Sequence, residues 1–107
     1  MSPFADVLAR LAATIESRKG GDVSASYTAK LLGDPTLAAK KLGEEAIEAV
    51  IAATQGDKAA LAAESADLIY HWLVVLAATG VSLDDVAAKL EAREGTSGLA
   101  EKAARGG

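Results

Sequence analysis

The stretch KKLGEEAIEAVIAATQGDKAALAAESADLIYH, residues 40–71, carries two helical patterns broken once, at Gln55-Gly56-Asp57. Leu42, Ile47, Val50 and Ile51 precede the break, and Leu61, Leu68 and Ile69 follow it. Acids recur inside both patterns. A residue on an α-helix advances about 100° around the axis, so Glu44 and Glu48 stack one turn apart with Glu45 beside them. Glu64 and Asp67 stack in the same way on the second helix. A short connection makes antiparallel neighbours. Glu45 lies 11 positions before Gly56 and Asp67 lies 11 after it. At about 1.5 Å per residue the two acid groups return to a similar height. The expectation is a helical hairpin with facing carboxylates. The apolar neighbours Ile47, Val50, Ile51, Leu68 and Ile69 predict that this helix pair is largely buried.

Working outward, cap signals divide the rest of the chain. Ser2-Pro3 reads as an N-cap followed by Pro at the first helical position. Phe4, Val7, Leu8, Leu11 and Ile15 then recur at helical spacing, as far as about Arg18. Ser26 caps a short helix over 27–32, closed by Gly33. Asp34-Pro35 restarts the chain with another cap and first-turn pair. Asp57 caps the next long helix, which runs to Gly80. Ser82 and Asp85 form a capping box in which Asp stands in the usual Glu or Gln position, and a shorter helix follows to about Arg93. Gly43 is unusual inside a helix, at about 1 kcal/mol against Ala, and suggests a close backbone approach by a neighbouring helix or by substrate.

The fold class expected is all-α, a four-helix bundle-like domain over residues 1–94 with a Gly/Ser/Ala/Lys tail over 95–107. Of 107 residues, 50% are hydrophobic but only 4% aromatic, so the apolar content is aliphatic and rich in Ala. Helices with Ala-rich faces bury limited area, and dimerisation or higher homo-oligomerisation is expected to complete the core.

No cysteine is present, which excludes disulfides and thiolate metal sites. A single histidine argues against a His-rich zinc or di-iron centre. No stretch reads as long enough to span a membrane, and no signal-peptide pattern opens the chain, so a cytoplasmic protein is expected. A net charge of −4 argues against a nucleic-acid partner.

Converging carboxylates repel one another unless a cation joins them. Their oxygens are hard ligands, and the ion they suit is Mg²⁺, with positions left for water and phosphate oxygens. Such a site supports attack of water on phosphorus with pyrophosphate leaving, a spare carboxylate orienting the water. Spacing alone equally allows solvated helix faces, with Lys40 and Lys41 paired to Glu44 and Glu45.

At these residues the sequence resembles the phosphoribosyl-ATP pyrophosphatases, the histidine-biosynthesis branch of the MazG-related all-α nucleotide pyrophosphatases. The resemblance covers about residues 4–93 and rests on four pieces in order: SYTAKLL (26–32), KKLGEEAIE (40–48), ESADLIYH (64–71) and GVSLDDV (80–86). An ExxE…ExxD pattern maps to Glu45, Glu48, Glu64 and Asp67. Alone it is weak, but with the first and last pieces it is specific, and SYTAKL and KKxGEEA mark this branch. The resemblance implies Mg²⁺-dependent hydrolysis of the nucleotide phosphoribosyl-ATP to phosphoribosyl-AMP and pyrophosphate. It implies metal ligation by Glu45, Glu48, Glu64 and Asp67, with Glu44 as a second-metal ligand or water-orienting base. It also implies dimers with sites near the subunit boundary. The length and the lack of cysteine fit the stand-alone form rather than a fusion to the enzyme of the next step.

Three cations complete the expected site. Lys30 falls in the piece before the acids, on a short element able to fold over phosphates. Lys40 and Lys41, one turn before Glu44 and Glu45, either reach phosphate oxygens or balance the acids. His71 shares a helix face with Asp67 and reads first as a satisfied core residue, second as a support for a ligating carboxylate. Tyr70 and Trp72 read as packing residues, and Tyr27 as packing or base stacking. Two other functions fit the same pattern: a house-cleaning (deoxy)nucleotide pyrophosphatase, and a non-catalytic helical dimerisation module.

Overall fold

A computed structural model describes residues 3–95. Five α-helices follow one another: α1 (Phe4–Ser17), α2 (Tyr27–Leu32), α3 (Pro35–Thr54), α4 (Lys58–Thr79) and α5 (Leu83–Ala92). No strand occurs among the described residues, and the chain is all-α as expected. The expected tail lies outside them from residue 96 onward.

Side-chain caps set most of the boundaries. Ser26, Asp34 and Asp57 accept from the backbone N–H of Ala29, Leu37 and Ala60, each satisfying a first-turn donor that the helix itself leaves free. Pro35 occupies the first turn of α3. The capping box at α5 is complete: Ser82 accepts from the Asp85 N–H, and the Ser82 N–H donates to the Asp85 carboxylate. Gly80 ends α4 in the left-handed region at φ 80°, and the Val81 N–H reaches back to Leu76 O.

One end differs from expectation. Pro3 is the N-cap of α1 rather than its first helical residue, because its ψ of 10° is not helical and its carbonyl accepts the first i→i+4 bond, from Val7. Gly33 closes α2 as expected, at φ −84°. Asp34 follows at once as the next cap, leaving no room for a turn residue.

Residues 55–57 are all that joins α3 to α4. A three-residue link between packed helices of 20 and 22 residues forces them antiparallel. α1 and α2 lie against α4, which is the central helix. The core gathers where these elements meet: Ile15 of α1, Leu31 of α2, Ala38 of α3, and Leu73 and Val74 of α4 are buried. Tyr70 and Trp72 are half-buried against this cluster, as expected. By length and composition α4 falls in the range of a membrane span, contrary to the expectation that no stretch does. Here that apolar length serves as the shared wall for three helices.

The expected burial of the hairpin holds on one side only. Ile47 is 62% exposed, Val50 61% and Ile51 47%. Ala38, Glu45 and Ala52 fall on one face of α3, whereas Gly43, Ile47 and Val50 fall on the opposite face, turned away from α4. A Cβ added at Gly43 meets nothing within 4 Å, so no neighbouring helix explains that glycine.

Candidate active site

The hairpin brings Glu45 and Glu48 of α3 and Glu64 of α4 together. One carboxylate oxygen from each lies within 4.8 Å of the others. Oε2 of Glu45 and Oε2 of Glu64 are buried without a hydrogen-bond partner. A buried anionic oxygen without a partner is costly, and a cation is what removes the cost.

Glu64 records the crowding. Its carboxyl is raised from the ordinary 4.5 to about 7. The hydrogen bond with Glu48, in which a protonated Glu64 donates, is the main cause; burial and then the charges of Glu48, Glu45 and Asp67 add to it. Asp67 is thus close enough to be felt, although exposed and outside the tight group of three. A hard divalent ion fits this donor set: all ligands are carboxylate oxygens, two lack partners, and Asp67 lies one turn further along α4.

The remaining expected residues stand further out. Glu44 is exposed and pairs with Lys41 at 3.5 Å, an i,i+3 pair. Lys40 is exposed on α3 and Lys30 on α2. His71 is buried, and its Nδ1–H donates to the backbone carbonyl of Asp67 at 2.9 Å, not to a carboxylate. That is the core role favoured for it, and the bond fixes the ring one turn beyond Asp67.

Three features beside the acids had no clear signal in the sequence. A cavity of about 210 Å³ is lined by Glu48, Ile51, Ala52, Gln55, Ala60 and Glu64. Gln55 brings an amide to it from a helix C-cap, a position chosen by the turn rather than by any motif. The Thr28 and Tyr70 hydroxyls hydrogen-bond at 2.5 Å, tying α2 to α4 across 42 positions of sequence. Larger grooves, of about 400 and 570 Å³, lie at the other end of α4 and contain none of the clustered acids. Chemistry rather than volume therefore selects the site.

Comparisons with known proteins agree with this geometry. A family model described as phosphoribosyl-ATP pyrophosphohydrolase matches residues 8–94. A protein of Caulobacter vibrioides named phosphoribosyl-ATP pyrophosphatase is 77% identical over 100 residues, 94% of each chain. Proteins of the same name are 73% identical in Caulobacter sp. strain K31, over 98% of each chain, and 62% identical in Cereibacter sphaeroides, over 94% of this chain and 98% of that one. The model match spans both acid-bearing helices, and the relatives align over nearly their full length, so the chain belongs to the phosphoribosyl-ATP pyrophosphohydrolase family.

Proposed function

We propose that this chain hydrolyses phosphoribosyl-ATP to phosphoribosyl-AMP and pyrophosphate, using Mg²⁺ held by Glu45, Glu48, Glu64 and Asp67. The observation that carries the chemistry is the pair of partnerless carboxylate oxygens inside a cluster of three acids. Family membership supplies the substrate. Mg²⁺ held there would neutralise the acids and the polyphosphate and would favour deprotonation of the attacking water. The chain's own residues do the rest. The hairpin sets the carboxylates at one height, Glu44 orients the water or holds a second ion, and Lys30, Lys40 and Lys41 contact phosphate oxygens. For Lys41 this means giving up its solvated pair with Glu44 (an exposed pair of this kind is worth at most about 1 kcal/mol).

The enzyme is a cytoplasmic homodimer or higher homo-oligomer in this reading. The radius of gyration is 16.0 Å, against about 13 Å for a compact domain of this length. Among the described residues, three of the seven buried hydrophobics are alanines, which leaves a thin core. Gly43, Ile47 and Val50 offer a second copy a flat apolar face.

Pyrophosphate release from phosphoribosyl-ATP, with and without Mg²⁺ and beside a panel of deoxynucleotides, tests the assignment. Mg²⁺-dependent turnover of phosphoribosyl-ATP alone is expected. Turnover only of deoxynucleotides moves the chain to the house-cleaning class, and no turnover of any substrate favours a binding module.

A further inference from the structure

We propose that Tyr27 is the platform on which the purine of the substrate stacks, a role that rests on the function proposed above. Within α2, Ala29 and Leu31 are buried and bind the helix to the core. Tyr27 is 51% exposed, although its ring is the largest side chain of the helix. Its ring meets His71 nearly edge-on, with centroids 6.5 Å apart and planes at 74°. A perpendicular contact leaves part of the Tyr27 ring uncovered, in keeping with its exposure.

The position of that ring follows from hydrogen bonds already described. His71 lies seven residues beyond Glu64, two turns along the same face of α4, and about 10 Å along its axis. That separation is comparable to the reach from a nucleotide's base across its ribose to the bridging phosphates. His71 is held by Asp67 O, and the neighbouring Thr28–Tyr70 hydrogen bond pins α2 to α4 beside it. Tyr70 in turn packs edge-on against His71, with centroids 4.9 Å apart. Tyr27 is therefore anchored at a fixed distance from the acids and still exposed. Lys30 lies one turn after Tyr27 on the same exposed face of α2. An aromatic ring and a cation on one face suit a ligand that is a purine at one end and an anion at the other.

Steady-state kinetics on phosphoribosyl-ATP with Tyr27→Ala, Tyr27→Leu and Tyr27→Phe test this, with tripolyphosphate as a base-free competitive inhibitor. Loss of base stacking raises KM by about 5- to 150-fold in Tyr27→Ala. Tyr27→Leu, which keeps apolar bulk for folding, does the same to a similar extent, and Tyr27→Phe stays near wild type. kcat changes by less than about threefold, and inhibition by tripolyphosphate is unchanged, because neither the acids nor the phosphates touch this ring. An unchanged KM in Tyr27→Leu overturns the proposal, and so does an equal loss of tripolyphosphate inhibition. If the wild-type enzyme turns over phosphoribosyl-ATP, either result removes this inference alone; if the wild type is inactive, the function itself fails.

Discussion

The two halves of α4 live under opposite conditions. Its C-terminal half carries Leu73 and Val74 into a core shared with Ile15 and Leu31, where burial is nearly complete. Its N-terminal half presents Glu64 to Glu45 and Glu48 of α3, while the far side of α3 exposes Ile47 and Val50. Burial of apolar area stabilises the first half without help. The second half is a hairpin with uncompensated like charges inside and unpaired apolar surface outside, so its stability depends on what binds to it. Acids held in such a region suit a cation, because Oε2 of Glu45 and Oε2 of Glu64 have no hydrogen-bond partner.

Paired substitutions should separate the halves. Glu48→Gln removes one carboxylate from the group of three. Activity should fall by about 1,000-fold, equivalent to several kcal/mol of transition-state stabilisation. The metal-free protein should melt no lower, and even higher, because repulsion is relieved. Leu73→Ala should do the reverse. Cavity formation in the core costs about 2–5 kcal/mol of stability in chemical denaturation, with kcat kept while the protein is folded. A Glu48→Gln enzyme with full activity moves the chemistry elsewhere. A metal-free Glu48→Gln protein that melts well below wild type contradicts the picture of mutual repulsion.

A pH series sharpens the contrast. The Glu64 carboxyl titrates near 7 in the folded protein, above its ordinary 4.5, so the folded state binds the proton more tightly than the unfolded chain. That contribution to stability is fully present below about pH 4.5 and is lost as the pH rises through about 7. The melting temperature of metal-free protein should therefore decline across this window. Saturating Mg²⁺ should flatten or invert the trend, since the ion requires the deprotonated acids, and Glu64→Gln should flatten it without metal. A metal-free wild type with no decline would mean that the acids do not crowd in solution.

Much of this was legible in the sequence, and the reason is local chemistry. Ser26, Asp34, Asp57 and the Ser82–Asp85 box announce helix starts because a side chain within three residues satisfies an otherwise free N–H. The approach of Glu64 to Glu45 and Glu48 follows from helical period and a short turn, both local rules. The exposure of the outer face of α3 was not legible. Ile47 and Val50 are apolar at helical spacing, which predicts burial but not by what, and among the described residues both stay exposed. Thr28 gave no sign of its bond to Tyr70, because a hydroxyl suits a helix surface as well as a contact between distant helices. The apolar length of α4 is hard to read in the sequence because Glu64 and Asp67 interrupt the hydrophobic run, although three other helices pack against it.

Gly43 offers the smallest and most discriminating effect. In an open helix interior, Gly43→Ala should raise stability by about 1 kcal/mol, through helix propensity alone. The space around the position is open within one chain, so the monomer has no reason to resist the methyl group. A second copy packed closely on Gly43, Ile47 and Val50 would have a reason, because an extra methyl in a tight contact costs about 1–3 kcal/mol. Gly43→Ala should accordingly melt higher than wild type in dilute solution and weaken self-association in sedimentation equilibrium. Equal stabilisation at every protein concentration would mean that nothing approaches this face closely, and the outer side of α3 would then be surface that the enzyme leaves in water.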